Sequence, residues 1–225
     1  NEALELVKRM AANKNKVLFV GGTPLYLKAL LRGVYPGPPA DWDFRHQIEE
    51  EVETVGIAAL HARLEQVDPL AAAKLHPNDK RRIIRALEVY KQTGRPLSHE
   101  QIHFDDIPHE QCKAFVLSWP RRILHRRIES RVERMFQSGL VDEVTGLLDR
   151  YGELGRTAAQ AVGYREVIEF LRDGQALGST IEQVQARTRQ FARRQETWFR
   201  NLAECEFISV NAELEPKEIA QQIAG

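Results

Sequence analysis

The sequence predicts an α/β fold built on a parallel sheet and interrupted by a wholly helical insertion. Three observations carry that prediction. Val17-Leu18-Phe19-Val20 is a short unbroken apolar run that ends in a double glycine and passes into a helix, the pattern of a parallel strand covered on both faces. Ala114 to Trp119 repeats the arrangement, with Pro120 opening a long helix. Between them the turn formers Gly33, Pro36, Gly37, Pro38 and Pro39 break regular structure, and the apolar spacing that follows is helical. The domains expected are therefore a first core segment over 1–37, a helical insertion over 38–95 and a second core segment over 96–225.

Taken in order, residues 1–12 read as an amphipathic helix with Ala3, Leu6, Val7 and Met10 on one side. After the strand at 17–20, Gly21 and Gly22 permit a close approach to the main chain, Thr23 suits an N-cap and Pro24 the first helical position. Such a corner is either a tight turn or a ligand site at the carboxyl edge of a sheet. In the insertion, Phe44, Ile48, Val52 and Val55, then Ile57, Leu60, Leu64 and Val67, fall at helical spacing, with Glu49-Glu50-Glu51 as a solvated face. Asp68-Pro69 starts a short helix. Asn78 or Asp79 caps another over about 80–93, which Gly94 and Pro96 end. The second core segment reads as a strand at 114–119, helices after Pro120 and over 139–151, 160–171 and 181–202, and a last strand at 207–210.

Composition narrows the function. With 225 residues, 43% of them hydrophobic, the chain can bury a core of its own. Thirty-two basic residues balance 32 acidic ones, so any polyanion signal must lie in how the charges are distributed. Cys112 and Cys205 have no metal-type spacing and make no disulfide framework, which fits a reducing cytoplasm. The seven histidines, His99, His103 and His109 among them, form no evident ligand cluster, and no metal site is expected in this chain. No apolar stretch approaches the ~20 residues of a membrane span. The chain opens at Asn1 and its first methionine is Met10, so it is expected to be the later part of a longer protein.

Arginines supply the functional signal. On the helix after Pro120, Leu124, Ile128, Val132 and Met135 form one stripe, and Arg131 falls almost inside it with Arg127 and Arg134 further round. An inward guanidinium needs either a buried carboxylate or an anionic ligand. The last helix carries Arg187, Arg189, Arg193, Arg194 and Arg200; its expected buried stripe is Val184, Phe191, Trp198 and Leu202, with Arg189, Arg193 and Arg200 projecting together on the opposite face. With Arg81, Arg82 and Arg85 of the insertion this makes two arginine ridges, suited either to soluble surface or to a polyanion held between two lobes. Tyr164 and Arg165 follow a glycine nearby, and stacking on such side chains is how unpaired RNA bases are held.

Five strings in order, VGGTPLYLKALLRG, HPNDKRRIIRALEVY, RRIESRVERMFQSGLVDEV, AVGYRE and RRQETWFR, closely resemble the bacterial tRNA dimethylallyltransferases, also called tRNA isopentenyltransferases. The resemblance covers nearly the whole chain. It implies a P-loop kinase-like core with a helical insertion, and transfer of a dimethylallyl group from dimethylallyl diphosphate to the exocyclic amine of the adenine 3′ of the anticodon. Diphosphate leaves with the help of magnesium, and the acceptor base is flipped into a channel. The resemblance further implies a cytoplasmic, monomeric enzyme whose partner is the tRNA anticodon stem-loop.

By the same resemblance, Thr23 lines the channel near the adenine and is catalytic, as is Arg131, which holds diphosphate together with Arg127. Arg45 and Arg81, Arg82, Ile83, Ile84 and Arg85 contact tRNA from the insertion. Gln160, Ala161, Val162, Gly163, Tyr164 and Arg165, with Arg193, Arg194, Gln195, Trp198 and Arg200, grip the stem-loop from the core. One departure is large. The family's Gly-rich phosphate loop and its general-base aspartate precede the double-glycine corner, yet this chain has no GxxxxGK[ST] match and sixteen residues before Val17. About 60 to 90 residues, two βα units, are expected to be missing, and the isolated chain is expected to be inactive. Two other readings stand beside this one: an adenylate isopentenyltransferase, and a non-catalytic RNA-binding remnant.

Overall fold

The computed structural model describes residues 2–33, 35, 37–99, 114–211 and 215–224. His103, His109 and Cys112 lie outside them. The described chain divides into two compact units, one holding the residues up to Phe19 and those from Leu25 to the end of the insertion, the other holding Val20–Pro24 and everything from Ala114 onward.

The first unit is helical. Its helices are α1 (Glu2–Ala12), α2 (Pro24–Arg32), α3 (Trp42–Val55), α4 (Ile57–Val67), α5 (Pro69–Lys74) and α6 (Lys80–Thr93). Local chemistry sets these boundaries. Asp41 accepts from the Phe44 N–H at 2.9 Å, Asp68 from the Ala71 N–H at 3.0 Å and Asp79 from the Arg82 N–H at 3.3 Å, so α3, α5 and α6 start on carboxylate caps. Gly94, in the left-handed region at φ 68°, closes α6. The predicted apolar stripes meet in one core: Phe44 and Ile48 of α3, Leu60 and Leu64 of α4, Ala71 and Ala72 of α5, and Ile83, Ile84 and Leu87 of α6. Asp68 is buried as well, its second oxygen accepting from the Ser98 N–H at 2.9 Å, which fastens the exit of the insertion to its middle.

The second unit carries a two-stranded parallel sheet, β1 (Ala114–Ser118) beside β2 (Cys205–Ser209), with Ala114 opposite Cys205 and Ser118 opposite Ser209. Around it run α7 (Arg121–Gln137), α8 (Leu140–Tyr151), the single turn α9 (Arg156–Ala159), α10 (Tyr164–Asp173), the 24-residue α11 (Leu177–Arg200) and α12 (Pro216–Ala224). Two apolar clusters hold the helices together. Ile128 and Val132 of α7 meet Val184 of α11, and Leu140 and Val144 of α8 meet Val167 and Ile168 of α10.

Three expectations change. Residues 17–20 form no strand: Leu18 is 79% exposed and Val20 88%. A strand needs a ladder for its N–H and C=O groups, and the two described strands pair with each other. The helix expected over 160–171 begins only at Tyr164, because Gly163 stands at φ 100° and interrupts it. Phe191 and Trp198, assigned to the buried stripe of the last helix, are 45% and 39% exposed, since α11 outruns the helices that pack on it.

Candidate functional site

Helix α7 packs its Ile128–Val132 edge inward, which turns its arginines outward. Arg126, Arg127, Arg131 and Arg134 border an open depression of about 450 Å³ along α7 that Leu124, Ile128 and Ser130 also line. Arg131 is exposed rather than inward-pointing as the helical wheel suggested: its neighbour Val132 takes the buried position, and Met135 and Phe136 continue the packed face beyond it. Among the described residues none of these four guanidiniums has a carboxylate at ion-pair distance. Arg127 stacks on the Trp119 ring at 4.4 Å, and the Nε of Arg134 donates to the Ser130 carbonyl at 3.3 Å. Four uncompensated cations along one depression form a surface for a compact polyanion, and the planar fork of arginine suits phosphate oxygens.

The 160–166 turn is held from beneath. Glu166 is buried, one oxygen accepting from the Gly163 N–H at 2.6 Å and the other from Arg187 Nη1 at 2.6 Å. Gln160, Ala161, Val162 and Arg165 remain exposed, while Gly163 is buried. Tyr164 donates its hydroxyl to Glu143, and that carboxylate pushes the phenol pKa up, so the ring is tied to α8. Arg165 pairs with Glu169 at 2.9 Å, which raises its pKa further.

On α11 the expected ridge is divided. Arg189 pairs with Glu129 of α7 at 3.0 Å and so faces that helix, and Arg200 pairs with Glu196 at 2.6 Å and lies over Phe207. Arg193 is exposed, Arg194 lies over the exposed Phe191, and Trp198 stands one turn further on. Gln195 reaches the double-glycine corner, its Nε2 donating to the Gly22 carbonyl, and a Cβ built at Gly22 would stand 2.7 Å from that nitrogen. A side chain at position 22 would have to displace the amide end of Gln195 and so loosen this contact. Thr23 follows, exposed, immediately before α2.

In the insertion, Arg81 and Arg82 are exposed, Arg82 pairing with its cap Asp79 at 3.1 Å. Ile83 and Ile84 are core residues, 0% and 3% exposed, packed with Leu60, Leu64 and Leu87. Arg45 lies over the Trp42 ring at 4.9 Å and, like Arg85, is bound to the fully buried Glu88. Burial alone pushes the Glu88 carboxyl up, but the bonds from Arg45, Arg85 and the Asp41 N–H outweigh it and hold the pKa below the usual carboxylate value. Arg45 is raised by the same pair, and Asp41 is lowered by its bond from the Phe44 N–H.

Glu88 and Glu166 were not singled out from sequence. The available signal was an acidic residue inside an apolar run, Leu87-Glu88-Val89 and Glu166-Val167, where a charge needs a buried partner. Among the described residues no three His, Cys, Asp or Glu side chains come together.

Over 200 residues the chain is 51% identical to a tRNA dimethylallyltransferase of Rhodopirellula baltica, covering 88% of this chain and 60% of that protein. It is 46% identical over 201 residues to a tRNA dimethylallyltransferase of Geobacter sulfurreducens, covering 88% and 64%. The chain thus spans about 60% of the length of these curated relatives. Among solved structures, the full-length tRNA isopentenylpyrophosphate transferase of Bacillus halodurans matches with TM-score 0.63 at 35% identity, over 99% of this chain and 70% of that one. A eukaryotic dimethylallyltransferase acting on tRNA shares the fold at TM-score 0.76 and 23% identity, over 99% and 58%. The P-loop-like α/β architecture with helical parts is therefore that of the tRNA isopentenyltransferases. A family model for IPP transferase matches residues 1–202, and with the relatives and the fold in agreement the chain belongs to the IPP transferase family.

Proposed function

We propose that this chain serves the transfer of a dimethylallyl group from dimethylallyl diphosphate to the exocyclic amine of the adenine 3′ of the tRNA anticodon. The observation that carries the reading is the α7 depression, where four arginines without carboxylate partners face solvent. In the reaction the allylic C–O bond breaks, diphosphate leaves with its electron pair, and a bond forms from the adenine nitrogen to the allylic carbon while the amine gives up a proton. Arg131 and Arg127 hold the diphosphate, Arg127 oriented by the Trp119 ring, and neutralise the charge that grows on the leaving oxygen. Thr23 borders the acceptor adenine. This sequence has no GxxxxGK[ST] phosphate loop, and magnesium, where bound, would help to neutralise the departing diphosphate.

The anticodon stem-loop is contacted by Arg45, Arg81, Arg82 and Arg85 of the insertion. In the second unit Gln160–Arg165, Arg193, Arg194, Gln195, Trp198 and Arg200 serve the same substrate, with exposed aromatics offering stacking surfaces. A cytoplasmic monomer is part of the same proposal and rests on the family resemblance. Among the described residues no helix is long and apolar enough to cross a membrane.

The test is prenyl transfer to an unmodified anticodon stem-loop by the full-length protein, with AMP as the competing acceptor. Transfer to the stem-loop and none to AMP is expected; transfer to AMP alone would overturn the reading.

A further inference from the structure

We propose that Glu88 is a positioning residue for RNA binding, holding Arg45 and Arg85 as a fixed cationic pair that meets the phosphates of the bound stem-loop. The inference rests on the tRNA-directed function already proposed. Glu88 has no exposed side-chain surface, whereas Arg45 and Arg85 keep 24% and 31% of theirs, so the carboxylate is hidden and the guanidinium edges face solvent. Its two oxygens are saturated. Oε1 accepts from the Asp41 N–H at 2.7 Å and from Arg45 Nε at 2.8 Å, and Oε2 accepts from Arg45 Nη2 at 2.7 Å and from Arg85 Nη1. Arg85 is fixed a second time, its Nη2 donating to the Pro38 carbonyl at 2.9 Å, and Arg45 a second time by the Trp42 ring.

Both guanidiniums are therefore oriented before any ligand arrives, with Arg45 Nη1 and Arg85 Nε still unspent among the described residues. A preorganised arginine loses less side-chain entropy on binding than a free one. The remaining charged neighbours are Asp41, paired with Lys91 at 3.4 Å, and Glu49, which acts on Arg45 through space. A purely architectural Glu88 would fasten residues 38–41 to α6 and do no more. The two roles predict opposite signs in one measurement, because removing the carboxylate charge makes the insertion more positive.

The experiment measures binding of a labelled anticodon stem-loop RNA to the full chain by fluorescence anisotropy at fixed salt, for wild type, Glu88→Gln and the double variant Arg45→Lys/Arg85→Lys, with thermal melts alongside. The glutamine carbonyl can still accept from the Asp41 N–H, so a folded Glu88→Gln variant is expected to bind about tenfold more weakly despite its added positive charge. Binding equal to or tighter than wild type overturns the proposal. The double variant keeps Glu88 and every charge but loses the forked geometry; weakening of similar size is expected, and wild-type affinity overturns the proposal even if Glu88→Gln fails to fold. Absence of RNA binding by wild type would instead overturn the tRNA reading beneath it.

Discussion

At the scale of single residues, Arg131 and Thr23 are proposed to serve turnover rather than RNA affinity. Arg131 borders the α7 depression without a carboxylate partner, so Arg131→Ala leaves no orphaned charge and should not disturb folding. In the full-length protein it is expected to lower kcat/KM by about 100-fold, the scale of losing one charged contact to a developing anion, with RNA affinity unchanged. Steady-state kinetics beside RNA titration checks this, and equal losses in both would remove Arg131 from the diphosphate. Thr23→Ala should likewise lower turnover more than it weakens tRNA binding. The helical wheel identified α7 and its arginines but put Arg131 too far inward, since a periodic pattern gives angle and not the depth of the neighbour. The Gln195 bond to Gly22 joins residues 173 positions apart, and no local pattern reveals such a contact.

At the scale of elements, the loop between α9 and α10 and the Glu88 end of α6 make measurable claims. Gly163 stands at φ 100°, while a Cβ there would meet only Leu140 and Met135 at 3.6 and 3.7 Å, an ordinary contact distance. Gly163→Ala is therefore expected to cost about 1–2 kcal/mol through backbone strain rather than collision, seen as a lowered Tm, with weaker RNA binding if the turn presents its neighbours to the stem-loop. The sequence placed a helix across this glycine because apolar spacing continues on both sides; the positive φ is what spacing does not encode. At α6, Glu88 has a lowered pKa in the folded state, so the stability it contributes is present above the ordinary carboxylate range and is lost as pH falls through the lowered value. Wild-type stability should hold from neutral pH to about 5 and fall below about 4, and in Glu88→Gln that part of the acid loss should be missing. The caps of α5 and α6 were legible in advance, because Asp68-Pro69 and Asp79-Lys80 each put a short acceptor directly before a helical start; the Asp41 cap of α3 was not singled out.

At the scale of the whole molecule, the boldest strand signal is the one left without a sheet. Val17 to Val20 is apolar at every position, as a segment covered on both faces must be, yet the run is exposed and has no ladder partner among the described residues. Pattern reports the environment a segment is suited to, and pairing depends on which strands stand beside it; β1 and β2 were read correctly because each has the other. A contiguous exposed apolar run with unpaired backbone groups is a template for association. The 225-residue chain by itself is thus expected to self-associate with rising concentration and to bind a hydrophobic dye. Leu18→Lys with Val20→Lys should suppress both without lowering Tm, because neither side chain is packed: light scattering and dye fluorescence read the first effect, a thermal melt the second. A drop in Tm of several degrees, about 1 kcal/mol or more on a domain of this size, would mean that the run is buried in solution and that a third strand joins the sheet.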